Sequence, residues 1–213
     1  MSARDTVLAR VREALGAARG TRVPVPRDYR VRLTGEEAPT RADVVALFTE
    51  RVAENGATVR HVGADGLATA IAAALWAREA KRIIAPADLP FGWLAGLEEV
   101  HAQADSPLLD PAALDGLDGV VTGCAVAVAR TGTIVLDGGR AQGRRALTLV
   151  PDYHLCVVHA DQIVGTVPEA VARLDPARPL TWISGPSMTE DVGLERVPGP
   201  HGPRALDVFV VDE

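Results

Sequence analysis

The sequence predicts an α/β fold, a layered Rossmann-like arrangement in which a mixed sheet is flanked by helices, and three observations predict it. Between residues 40 and 85, helical and strand periodicities alternate twice, as they do where parallel strands are joined by crossover helices. From residue 120 onward, short β-rich runs separated by turns replace that alternation, which adds antiparallel pairing to the expectation. With 213 residues, 47% of them hydrophobic and 23% charged, the chain suffices for one well-buried core and is short for two.

The first element is an amphipathic helix from Ser2 to Ala18: Val7, Leu8, Val11 and Leu15 recur at helical spacing, and Ser2-x-x-Asp5 has the form of a capping box. Pro24, Pro26 and Pro39 punctuate an aperiodic connection, so residues 1–39 read as an N-terminal helical arm and 40–213 as a single α/β domain. Ala42–Asn55 reads as a helix stopped by Gly56, Ala57–Val62 as a strand, Gly66–Glu79 as an Ala-rich helix and Arg82–Ala85 as a buried strand. Glu99–Ala102 suits a short strand and Pro111–Leu117 a helical turn. Val120–Val128 and Thr133–Asp137, separated by Ala129-Arg-Thr-Gly132, suit a β-hairpin or two bent strands. Leu155–Val158 and Ile163–Val164 read as strand around a turn, Pro168–Leu174 as a helix and Leu206–Val211 as a terminal strand.

Charge is unevenly spread. Residues 1–32 hold eight arginines against three acids, a balance of +5, while the rest carries −11 of the net −6. An acidic body without an aromatic-rich basic stripe argues against a nucleic-acid partner, so the arm reads as a docking element for another subunit or another copy. No apolar run approaches the roughly 20 residues of a membrane span, and Met1-Ser-Ala-Arg-Asp lacks the apolar core of a signal peptide. The expected location is the cytoplasm.

Several common chemistries are excluded by pattern. There is no Walker loop and no G-x-G-x-x-G fingerprint; Gly138-Gly139-Arg-Ala-Gln-Gly143 matches the latter in composition only. Cys124 and Cys156, the two cysteines, lie in apolar runs as structural thiols and cannot supply the usual four thiolates of an iron–sulfur cluster. His61, His101, His154 and His159 have no ligand spacing for zinc. The expectation is a chain with no intrinsic cofactor, metal or flavin.

What remains is a set of glycine-containing turns: Thr131-Gly132-Thr133, Ser184-Gly185-Pro186-Ser187 with Thr189 beyond it, and Gly199–Arg204 with His201, Gly202 and Arg204. Backbone N–H groups and hydroxyls in such turns cradle anions, and Arg144 and Arg204 add charge suited to carboxylate or phosphate. Asp191 and His201 are the candidate general bases. Alternatively, Ser187 or Thr189 caps a short helix beginning near Met188, and Gly185-Pro-Ser-Met-Thr189 lacks the final glycine of a nucleophile elbow.

Ala129-Arg-Thr-Gly-Thr-Ile-Val135, Arg144-Arg-Ala-Leu-Thr-Leu-Val-Pro-Asp-Tyr-His154, Ile183-Ser-Gly-Pro-Ser-Met-Thr-Glu-Asp191 and Gly199-Pro-His-Gly-Pro-Arg204 together resemble the lactate utilization protein C family. The resemblance implies a fold similar to the sugar-phosphate isomerase and CoA-transferase superfamily. It also implies action beside iron–sulfur partner subunits, which would hold the clusters, in oxidising L-lactate to pyruvate; joined to the turns, this gives the expectation of an accessory subunit that binds a small carboxylate or phosphate-bearing ligand there. Two positions depart from the family pattern: Arg130 stands where an acidic residue is usual, and Met188 where arginine is frequent. Two other readings stay open: a stand-alone enzyme acting on a sugar phosphate or CoA ester, and a non-catalytic ligand-binding or scaffolding module.

Overall fold

A computed structural model describes residues 2–16, 24–26, 39–190, 196–198 and 202–212, with backbone alone at 188–190 and 196–198. The chain divides into two compact units, Met1–Arg30 and Val31–Glu213. The first contains helix α1 (Ala3–Leu15), which the expected capping box opens: Ser2 Oγ accepts from the Asp5 N–H at 3.2 Å and the Asp5 carboxylate accepts from the Ser2 N–H at 3.0 Å. Its apolar residues Val7, Leu8, Val11 and Leu15 are exposed.

In the second unit the alternating pattern folds as read. Helix α2 (Arg41–Glu54) starts at a second capping box, Thr40 with Asp43, and buries Val45, Phe48 and Val52 at helical spacing. Strand β1 (Thr58–Gly63), helix α3 (Leu67–Ala77) and strand β2 (Arg82–Ala85) follow. Next come β3 (His101–Ala104), α4 (Pro111–Asp115) and β4 (Gly119–Thr122), then β5 (Val126–Val128) and β6 (Thr133–Leu136). Helix α5 (Ala146–Leu149), β7 (Tyr153–His159), β8 (Ile163–Val164), α6 (Val167–Arg173) and β9 (Thr181–Ile183) lead to the hairpin strands β10 (Met188–Glu190) and β11 (Arg196–Pro198), and β12 (Ala205–Asp212) ends the fold.

Six strands form one sheet in the order β1-β12-β7-β4-β2-β3, parallel at every pairing. The mixed pairing lies in a second sheet, β8-β5-β6-β9, where β5 runs parallel to β8 and antiparallel to β6. Both faces of the large sheet are covered, so its central strands are mostly apolar rather than alternating, with Thr122, His154 and Asp207 as buried exceptions. Tyr153, Leu155, Val157, Phe209 and Val211 pack with α3 on one face. Cys156, Val158, Val208 and Val210 pack with α2 and the second sheet on the other. Among the described residues no helix is long and apolar enough to cross a membrane.

Two local expectations give way to tertiary pairing. Val120–Val128 is not one continuous strand: the chain leaves the large sheet after β4 and enters the second sheet at β5, which then forms the hairpin with β6. The helix weighed at Met188 is replaced by β10, whose register with β11 (Met188↔Pro198, Glu190↔Arg196) supplies the hydrogen bonds that a capped helix would otherwise make.

Candidate functional site

The structure brings the first two glycine turns together. A 3₁₀ turn (Ala129–Thr131) and Gly132, at φ 59°, join β5 to β6. Thr131 Oγ1 and Thr133 Oγ1 lie 2.7 Å apart, and Thr133 Oγ1 and Ser184 Oγ 2.8 Å, so the hydroxyls satisfy one another. Asn55, the C-cap of α2, donates Nδ2–H to the carbonyls of Thr131 (2.9 Å) and Gly132 (3.3 Å). Glycine is required at both turns because α2 approaches so closely: a Cβ at Gly132 would lie 2.6 Å from the Arg51 carbonyl carbon, and one at Gly185 2.3 Å from the Asn55 oxygen. These turns clamp the end of α2.

The third turn meets the second at Ser187, while Arg144 and Arg204 are taken up by carboxylates. The Ser187 N–H donates to the Pro203 carbonyl (2.7 Å) and the Gly202 N–H to the Leu149 carbonyl (3.1 Å), which seats the third turn on the end of α5. Arg204 pairs with Asp152 at 3.3 Å on the surface, both side chains more than half exposed. Arg144 grips buried Asp105 through Nε (2.7 Å) and Nη2 (3.1 Å) and also bonds the Leu109 carbonyl. That grip holds the Asp105 carboxyl below its ordinary pKa, burial opposing and the Leu109 N–H assisting. Arg144 is thereby neutralised. Thr189 lies in β10, and Asp191 and His201 are outside the described residues.

A cleft of 640 Å³ opens where β4 and β7 end and the chain passes to the second sheet. Parallel sheets commonly bind ligands in such a crevice outside the carboxyl ends of their strands. One wall is the loop after β6. Asp137 accepts from the Gly139 N–H (2.9 Å), from Gln142 Nε2 (2.9 Å) and from Arg178 Nη1 (2.8 Å). Burial works against its ionisation, but the Arg178, Gly139 and Gln142 bonds prevail and hold its pKa low. Within this loop Ala141, a non-glycine residue, adopts φ 59°; its N–H donates to Asp88 (3.1 Å) and its carbonyl accepts from Gly123 (2.7 Å). Such conformations cluster at binding sites, where the surrounding structure enforces them.

The cleft floor is Gly123–Ala125 with the end of β7. Gln162 donates to the Cys124 carbonyl (2.8 Å) and accepts from the His159 N–H (2.9 Å), and the Trp93 and His159 rings lie 6.1 Å apart. Cys124 and Cys156 are buried free thiols: Cys124 Sγ donates to Gln162 Oε1 and Cys156 Sγ to the Gly123 carbonyl, each at 3.6 Å, and the neighbouring Cys156 together with burial pushes the Cys124 thiol up. Among the described residues no group of three or more His, Cys, Asp or Glu side chains is placed to hold a metal.

Arg140, Arg173 and Arg178 line the cleft against the single carboxylate Asp137, a formal balance of +2 in a chain of net −6. Arg140 is exposed and has no acidic partner among the described residues, and Arg173 donates to the Asp161 carbonyl at 3.0 Å. The sequence argument does not reach this loop, because its glycine spacing fails the dinucleotide fingerprint. The usable signal is an arginine held among three glycines directly after a buried strand.

The chain is 50% identical over 177 residues to a Lactate utilization protein C of Deinococcus radiodurans, covering 81% of each chain. It is 26% identical over 227 residues to a Lactate utilization protein C of Halalkalibacterium halodurans, covering 99% of this chain and 98% of the relative. Its fold is similar to that of the crystal structure of a DUF162 family protein from Deinococcus radiodurans, with a TM-score of 0.68 and 45% sequence identity over 81% of this chain and 99% of the other. Residues 45–211, spanning the parallel sheet, the second sheet and the cleft between them, match the LUD domain, and the chain belongs to the LUD domain family.

Proposed function

We propose that this protein serves L-lactate utilization as an accessory subunit in the oxidation of L-lactate to pyruvate, binding an anionic ligand in the arginine-lined cleft. The observation that carries the reading is the 50% identity, over 81% of both chains, to a relative named for lactate utilization. The cleft adds the ligand class, since guanidinium groups recognise carboxylate and phosphate through paired N–H donors. Arg140 and Arg173 hold the anion, while Asp137, fixed by Arg178 and Gln142, keeps the loop that carries Arg140 in place.

Lactate oxidation releases two electrons and two protons. This chain's two cysteines are both buried, against the four thiolates that an iron–sulfur cluster usually takes, so the electron-carrying clusters are assigned to partner subunits. The test is lactate-dependent dye reduction by the purified protein alone, by the products of its neighbouring genes without it, and by the mixture. Activity in the mixture only is expected. Equal activity with and without this chain overturns the reading.

A further inference from the structure

We infer that the cleft takes an organic phosphate carrying a planar ring, of the nucleoside diphosphate class, rather than lactate itself. The inference rests on the cleft being the ligand site. Size is the first argument: 640 Å³ sits among clefts of about 300–1,000 Å³ that enclose drug-sized ligands, and a three-carbon hydroxy acid would leave most of it as water.

Charge is the second. Asp137 neutralises Arg178 at 2.8 Å, so the formal +2 resides on Arg140 and Arg173, which come from two separate segments, the loop after β6 and the last turn of α6. A monocarboxylate balances one of them, whereas a diphosphate balances both and offers enough oxygens for two forks. The two guanidinium groups gathered in one cleft make it a local positive focus within a chain of net −6.

The third argument is the uncharged part of the lining. Half-buried Trp93, with the His159 ring 6.1 Å away, and the apolar Pro90 and Leu174 form a surface that a ligand with a flat or apolar body would cover. Aromatic faces accept bases of any sequence because every base has a π-face. Arginines beside indole and imidazole rings therefore fit a phosphate joined to a ring.

Calorimetry of the full chain with ADP, adenosine, pyrophosphate, malate and L-lactate tests this, using Arg140→Gln, Arg173→Gln, Arg173→Lys and Trp93→Ala, with Arg10→Gln as a charge-matched control. Melting temperatures verify that each variant is folded. The expected result is saturable ADP binding, with adenosine and each glutamine variant weaker by about tenfold or more, roughly the loss of one charge-assisted contact. Arg173→Lys retains part of the affinity, Arg10→Gln all of it, and affinity falls as salt rises. Binding of L-lactate or malate but not ADP overturns the inference and leaves the anion site standing. Equal affinity for pyrophosphate and ADP, unchanged in Trp93→Ala, overturns the ring. If no anion binds, or the folded glutamine variants match the parent, the cleft as ligand site falls as well, whereas the dye-reduction assay still decides the role in lactate oxidation.

Discussion

Asp137 and Gln142 close the loop between them from both ends: the Asp137 N–H donates to Gln142 Oε1 at 2.7 Å, and Gln142 Nε2 donates to Asp137 Oδ1 at 2.9 Å. The carboxamide thus satisfies one backbone donor and one carboxylate oxygen, and it does so while only 4% exposed. The four residues between them are held by this closure together with the Ala141 bonds to Asp88 and Gly123, which is why Arg140 is presented at the cleft instead of wandering with a free loop.

Replacing Gln142 by Ala should therefore destabilise the fold by about 1–3 kcal/mol, the cost of leaving buried polar groups without partners. Urea denaturation measures it. The variant should also lose affinity for the cleft ligand, because the loop carrying Arg140 is no longer fixed.

Acid should weaken the structure through Asp105 and Asp137. Both carboxyls titrate below the ordinary aspartate value in the folded chain, so the stability they contribute is fully present above the unfolded value and is lost as pH falls through the lower, folded ones. The denaturation midpoint should drop below about pH 4. In Asp105→Asn and Asp137→Asn the drop should be shallower, and the parent should be the more stable at neutral pH.

A methyl group at Gly185 or Gly132 should be costly. Both positions have positive φ, which alone costs a side-chain-bearing residue about 1–3 kcal/mol. The added Cβ would also press on the backbone of Arg51 or Asn55, so α2 must shift. Thermal melts of Gly132→Ala and Gly185→Ala should show a lower Tm for each. Hydrogen exchange should accelerate in the last turn of α2, where the Asn55 side chain holds Thr131 and Gly132.

At the opposite ends of the strands, Asp207 is 3% exposed and joins Arg78 (2.8 Å) to the Tyr153 hydroxyl (3.0 Å), while the Arg78 guanidinium lies 4.2 Å from the centre of the Tyr153 ring. Asp207→Ala should cost about 1–3 kcal/mol, since a charge-assisted bond is lost and the tyrosine hydroxyl is stranded. Burial, and then Asp207, push the Tyr153 hydroxyl well above its ordinary pKa. The folded state thus resists ionising it, and the stability is present below the unfolded value and lost as pH rises beyond about 10. Tyr153→Phe should lose less stability than the parent between neutral pH and pH 11, checked by urea midpoints across that range.

The sequence by itself determined what is local. The capping boxes at Ser2 and Thr40, the spacing of Val45, Phe48 and Val52, and the β-rich runs fixed helices and strands wherever the signal lies within one element. The order of the parallel strands is not of that kind, because β12 lies between β1 and β7 through pairings such as Thr58↔Asp207 and Ala205↔Tyr153, distant in sequence and chosen by burial of both sheet faces. For the same reason Val120–Val128 was split between two sheets, and Met188 became strand once 196–198 lay beside it. The cleft belongs to the tertiary structure entirely. Trp93, Cys124, Arg140, His159 and Arg173 come from separate segments that folding alone brings together, and Arg144, just before α5, meets its partner Asp105, just after β3, only in the folded chain. Turns, caps and periodicity act over a few residues, whereas charge compensation is settled by whichever groups the fold makes neighbours.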